Sequence, residues 1–117
     1  MNVKFKVLKR DLQTIYAMAN CFRLIVKREQ LQRVIIYKPL PTGIDRAAVE
    51  NNIAKVILTV TAASVRANYK TSKTPVQFSI NINAARDLFN LNNMVETNTP
   101  EQYLFTQIIN EAVKTFL

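Results

Sequence analysis

The residues of this chain whose types and spacing could do chemistry are cations. Lys4 and Lys6 alternate with Val3, Phe5 and Val7 in NVKFKVLKR, and Lys9 and Arg10 follow at once. Arg23 and Lys27 fall four apart on a helical pattern, Lys38 closes RVIIYK, and Arg66, Lys70 and Lys73 follow one another at spacings of 4 and 3. Tyr37 and Tyr69 each stand beside one of these lysines, as rings that could stack on bases. Cations gathered on one surface bind phosphates, because each neutralised phosphate releases a counterion. These ten cations and two tyrosines are the candidate polyanion site. The competing reading for Lys4 and Lys6 is the protection of a strand edge, and for Arg66 and Lys70 the complementation of a helix C-terminus.

The charge is uneven. The chain carries 16 Lys+Arg against 8 Asp+Glu, net +8. Residues 1–38 hold net +7, residues 39–82 net +3 and residues 83–117 net −2. Such asymmetry marks a polyanion-binding half, or two surfaces that attract one another between copies.

Other chemistries lack their residues. With no histidine, the commonest general base and metal ligand at neutral pH is missing. One cysteine, Cys21, cannot form an internal disulfide or a zinc site within the chain. One glycine, Gly43, allows no phosphate-binding loop and no dinucleotide fingerprint. The carboxylates Asp11, Asp45 and Glu101 stand where helices begin, a capping position. Cys21 lies one step off an apolar stripe and reads as a core-boundary residue. The expectation is a protein without catalytic residues, cofactor, metal or small-molecule substrate.

Compartment and membrane follow from what the sequence lacks. A lone cysteine and no N-x-Ser/Thr sequon fit a reducing, intracellular setting, cytoplasmic or within a virion or organelle assembly. The N-terminal segment has no apolar h-region, so no signal peptide is expected. The longest uncharged, largely apolar run lies between Lys55 and Arg66, about half the length a membrane span needs.

The elements that must position these cations are legible as patterns. Residues 2–8 and 75–82 alternate apolar and polar, which predicts strands. Leu12, Ile15, Ala19, Phe22 and Val26 recur at 3 and 4, predicting a helix behind an Asp11 N-cap that ends near residues 28–30. Residues 22–38 stay open between one helix, a hairpin, and a helix followed by a strand at 33–38. PLPTG at 39–43 breaks the chain. Val49, Ile53, Val56, Val60, Ala63 and Ala67 predict a long central helix over about 46–69, capped by Asp45. Asn83 is read as the cap of a short helix, AARDLFNL, and residues 92–98 as a loop. Thr99, Pro100 and Gln102 form a helix start with a capping box. Phe105, Ile109, Ala112 and Phe116 line the last helix, and Leu104 and Ile108 widen its apolar face.

The expected fold is α+β: one helix-rich domain over 1–117, order β-α-β-α-β-α-α, with about three strands in one small sheet packed by three to four helices. The scarcity of glycine argues against tight hairpins. Two functions are carried forward. One is a non-catalytic assembly subunit of a virion or ribonucleoprotein-type complex, joined to protein partners or to its own copies. It would use its basic N-terminal face and an apolar C-terminal helix, with Leu104, Ile108 and Phe116 as contacts. The apolar ending Phe116–Leu117 supports that reading. The other is a nucleic-acid-binding protein without sequence preference, using the basic face of residues 4–38.

Overall fold

The computed structural model describes residues 1–27, 44–97 and 99–114, together with the backbone of 35–36. Its order is β1 (Asn2–Val7), α1 (Lys9–Val26), β2 (Ile35–Ile36), α2 (Arg46–Ala67), β3 (Val76–Asn81), α3 (Ile82–Met94), β4 (Val95–Glu96) and α4 (Pro100–Val113). The α+β class and the predicted order hold, with one short strand added before α4.

The sheet differs from the expected three strands. β1 and β3 form an antiparallel two-stranded ribbon, and β2 and β4 form a separate two-residue antiparallel pair. The reason is partner choice. β2 pairs with the segment after α3, which sequence alone reads as a loop. Residues 92–94 continue α3 and Val95–Glu96 form β4, so only part of that stretch is irregular. A hairpin from residues 22–27 is excluded, because Phe22–Val26 are helical and β2 joins β4.

The ribbon is built by alternation. Val3, Phe5 and Val7 are buried on one face, and Val76, Phe78 and Ile80 lie opposite them in register. Phe5 and Phe78 stack with ring centroids 5.0 Å apart and planes within 10°. Such a cross-strand aromatic pair adds about 0.5–1 kcal/mol to the area it buries. Asn2, Lys4 and Lys6 face outward opposite Asn81, Ser79 and Gln77.

Beneath the ribbon α1 and α2 pack against each other, and the predicted stripes are the ones that meet. Leu12, Ile15, Ala19, Phe22 and Val26 of α1 are buried, as are Ile53, Val56, Val60, Ala63 and Ala67 of α2. α4 closes the core through Phe105, Ile109 and Val113, and Phe22 meets Phe105 edge-on at 5.6 Å. All these side chains belong to one contiguous apolar core.

The caps correct two expectations. Leu8, not Asp11, is the N-cap of α1. Asp11 sits one turn in, and its Oδ2 accepts the Leu8 backbone N–H at 3.1 Å. Asn81, not Asn83, caps α3, and its Oδ1 accepts the Asn83 N–H at 2.8 Å. Asp45 caps α2 as predicted, accepting from the Ala48 N–H, though α2 stops at Ala67 rather than residue 69. Arg46 reaches back to donate to the Val26 carbonyl at 2.8 Å, satisfying an open end of α1.

Gln102 does more than complete a cap. Thr99 Oγ1 accepts the Gln102 N–H, as expected. The Gln102 amide then reaches beyond Thr99. Its Oε1 accepts the Thr97 N–H at 2.7 Å, and its Nε2 donates to the Val95 carbonyl at 2.8 Å and to Asn92 Oδ1 at 3.3 Å. Buried Asn92 in turn donates to Thr106 Oγ1 at 2.9 Å. One amide thus ties α3, β4 and α4 together. Gln102→Ala is expected to cost about 2 kcal/mol, because partly buried backbone groups lose their partners. A urea midpoint shifted by less than the equivalent of about 0.5 kcal/mol would contradict this assignment.

Candidate phosphate-binding end

The antiparallel register decides where the cations gather. Val7 pairs with Val76, so the end of β1, the start of α1 and the segment joining α2 to β3 share one end of the molecule. Lys9, Arg10, Gln13, Ser72 and Lys73 line a single cleft there. Lys6 pairs with Gln77, whose carbonyl accepts from Arg66 Nη2 at 3.3 Å. Tyr69 and Lys70 lie in the turn that runs on from α2, their N–H groups donating to the Arg66 and Ala67 carbonyls, and a second turn follows, closed by a 2.8 Å contact between the Thr71 and Thr74 hydroxyls. Lys9, Arg10 and Lys73 therefore meet in one cleft from two separate segments, while Lys6, Arg66 and Lys70 stand in the strand and the helix end that lead to it. Tyr69 is 91% exposed beside them, which suits a stacking ring.

Two features set this end apart from an ordinary wet surface. Residues 51–86 contain no acidic residue, so the α2–β3 side of the cleft brings no carboxylate of its own. Lys9 and Arg10 also occupy the first turn of α1, where the helix dipole favours anions. Each cation there costs a few tenths of a kcal/mol unless an anion lies in front of it. Helix stability does not explain these two residues. Asp11 moderates the field, but it is held on the Leu8 N–H.

Lys4 lies further along β1. The carbonyl of Gln77 points to α2, so its partner Lys6 turns its own backbone groups the other way, to the open edge of the ribbon. Lys4 shares that alternation. Their edge borders a groove lined by Asp11, Ile108 and Glu111, which places carboxylates near both lysines. Lys4 and Lys6 both line that groove, so edge protection accounts for Lys4 and bears on Lys6 as well.

The rest of the predicted set separates. Arg10 and Arg23 are 13 residues apart on α1, about 20 Å. Arg23 and Lys27 turn instead to Glu50 at the start of α2, with N–O distances of 3.9 and 3.4 Å. They do not join the cationic end, because α1 runs away from it. Lys38, Tyr37 and Phe116 lie outside the described residues. Among the partner-contact candidates, Leu104 is exposed and Ile108 half-buried.

The sequence reading missed a surface on α2. Its outward face carries Leu58 at 70% exposure and Val65 at 58%, with exposed Ala62 between them and Tyr69 beyond. The spacing 4, 3, 4 could have found it. The buried stripe at the same spacing took attention first, and Lys55, Thr59 and Arg66 made the other face look polar.

No reactive centre stands out among the described residues. They contain no group of three or more His, Cys, Asp or Glu side chains placed to hold a metal ion. None of their helices is long and apolar enough to cross a membrane. Cys21 is half-buried against the core, and burial pushes its thiol up, away from the reactive thiolate.

Asp87 on α3 is the other perturbed group. Burial pushes its carboxyl above the usual range, and the hydrogen bond from Asn52 Nδ2 at 2.9 Å pulls it partly back. A raised acid pKa favours the neutral form in the folded state. That contribution is fully present below the unfolded value and is lost as pH rises through the folded one. Ionised Asp87 therefore burdens the fold at neutral pH. Asp87→Asn keeps an acceptor for Asn52. It is expected to raise the melting temperature at neutral pH and to give no gain near pH 3. Equal gains at both pH values in a thermal melt would show that ionisation is not the cause.

Comparison with known protein families, with curated proteins and with solved structures finds no match to this chain.

Proposed function

We propose that this protein is a non-catalytic subunit of a larger assembly that holds nucleic acid by its phosphates. The observation that carries the reading is the cleft that Lys9, Arg10 and Lys73 line together, with Lys6, Arg66 and Lys70 in the segments that lead to that end. Contacts of this kind position a backbone and carry no sequence information. Tyr69 adds a face for an unpaired base, so single strands are the favoured ligand. The assembly part of the reading rests on a different observation, the apolar side chains left exposed on α2 and α4.

The test is fluorescence anisotropy with labelled single- and double-stranded DNA and RNA across a salt series. If four to six of the cations meet phosphate, log K for duplex falls against log salt with a slope between about −3.5 and −5.5. Arg23→Gln with Lys27→Gln should leave that slope unchanged, because Glu50 already occupies those side chains. Absence of binding near 50 mM salt would remove nucleic acid as the ligand of this end.

A further inference from the structure

The outward face of α2 has a counterpart on α4. On α2, Lys55, Leu58, Ala62 and Val65 follow at spacings of 3, 4 and 3, all exposed, with Arg66 beside the last of them. On α4, Glu101, Leu104, Ile108 and Glu111 follow at the same spacings. Leu104 is 42% exposed, Ile108 is half-buried, and both glutamates are exposed. One stripe is apolar with Lys55 at one end and Arg66, which also donates to the Gln77 carbonyl, beside the other; the second is apolar with a carboxylate at each end, of which Glu111 also pairs with Lys114 at 2.8 Å. Lys55 to Arg66 spans about 16 Å along α2, and Glu101 to Glu111 about 15 Å along α4. Charge and length therefore match whichever way the two helices run.

We infer that the outward face of α2 docks α4 of a second copy of this chain. The inference names the partner in the assembly reading above and rests on that part of it, sharing only Arg66 with the cationic end. Pairing α2 with α2 is disfavoured, because Lys55, Arg66 and Lys70 would face one another and residues 51–86 supply no carboxylate. The two docking faces are different surfaces of one molecule, so the contact is heterologous. It propagates as a ring or an open filament rather than stopping at a two-fold dimer.

Sedimentation velocity of the purified protein, free of nucleic acid and at low salt, reads the contact directly. The wild type is expected to form species larger than a dimer as concentration rises. Leu58→Glu with Val65→Glu should weaken association at least tenfold without changing the circular dichroism, since both side chains are already in water. The decisive arm uses two charge-reversed variants. Lys55→Glu with Arg66→Glu should be monomeric alone, and so should Glu101→Lys with Glu111→Lys. An equimolar mixture should assemble, because each variant then offers the face the other has lost. A monomeric wild type, or a mixture that stays monomeric, would overturn the inference. Anisotropy on the wild type, which keeps Arg66 for both roles, separates the two proposals. A monomer that still binds nucleic acid ends self-assembly alone, and an assembling protein that binds none ends the phosphate reading alone.

Discussion

Phe22→Ala is expected to lower stability by about 3–5 kcal/mol. Phe22 is fully buried midway between α1 and α4, and its ring meets Phe105 edge-on at 5.6 Å. Truncation removes the transfer energy of a whole ring and the geometry-dependent part of that aromatic pair. It also leaves a cavity that three packed elements would have to move to fill. A domain of this size holds only about 5–15 kcal/mol in total, so the variant should be close to unfolding at physiological temperature. Phe22→Leu keeps much of the volume and should lose roughly half as much. Chemical denaturation of the three proteins checks the series. A loss under about 1 kcal/mol for alanine would mean that α4 is not docked on α1 as described.

The second large effect concerns the cationic end. Lys9→Glu, Arg10→Glu and Lys73→Glu together are expected to weaken nucleic-acid binding at least about 100-fold near 0.1 M salt. These three residues line one cleft, so reversing them replaces attraction by repulsion over the same few ångströms. The helix dipole makes the control unusually clean. Glutamate in the first turn of α1 is favoured over lysine and arginine, so the variant should fold as well as the wild type or slightly better. A loss of binding therefore cannot be ascribed to a loss of structure. Anisotropy and a thermal melt on the same preparation provide both readouts. Binding within about threefold of wild type would show that this cleft does not contact phosphate.

How much of this was legible in the sequence varies with the range of the interaction. The helices were legible because their cause is local. Phe22, Val60 and Ile109 sit in 3/4 repeats, and Asp45 and Thr99 cap where short polar side chains reach unpaired N–H groups. The strands β1 and β3 were legible as alternation, but nothing in either names the other as partner. β4 was not legible, because two residues carry no period and Val95–Glu96 is strand only through its pairing with β2. The same limit split the cation set. Arg23 and Lys27 looked continuous with Lys9 and Arg10 along the chain, whereas Lys73 is their neighbour only because Val7 meets Val76. Lys6 and Lys9 could be picked from sequence, and the grouping with Arg66 and Lys73 needed the ribbon. Leu58 and Val65 were passed over because one seam on α2 already satisfied the need for a core.

The ribbon also fixes an order of events. Val3 pairs with Ile80 and Val7 with Val76, with two long helices threaded between them. Local contacts within α1 and α2 can form while the chain is still short, but β1 has no partner until β3 exists. During synthesis its alternating Val3, Phe5 and Val7 must therefore wait in the open for most of the chain to be made, carried next to Lys4, Lys6, Lys9 and Arg10. Those cations repel the same segment of a neighbouring nascent chain, so the charges that decorate the finished surface also guard the strand before it has a sheet to join.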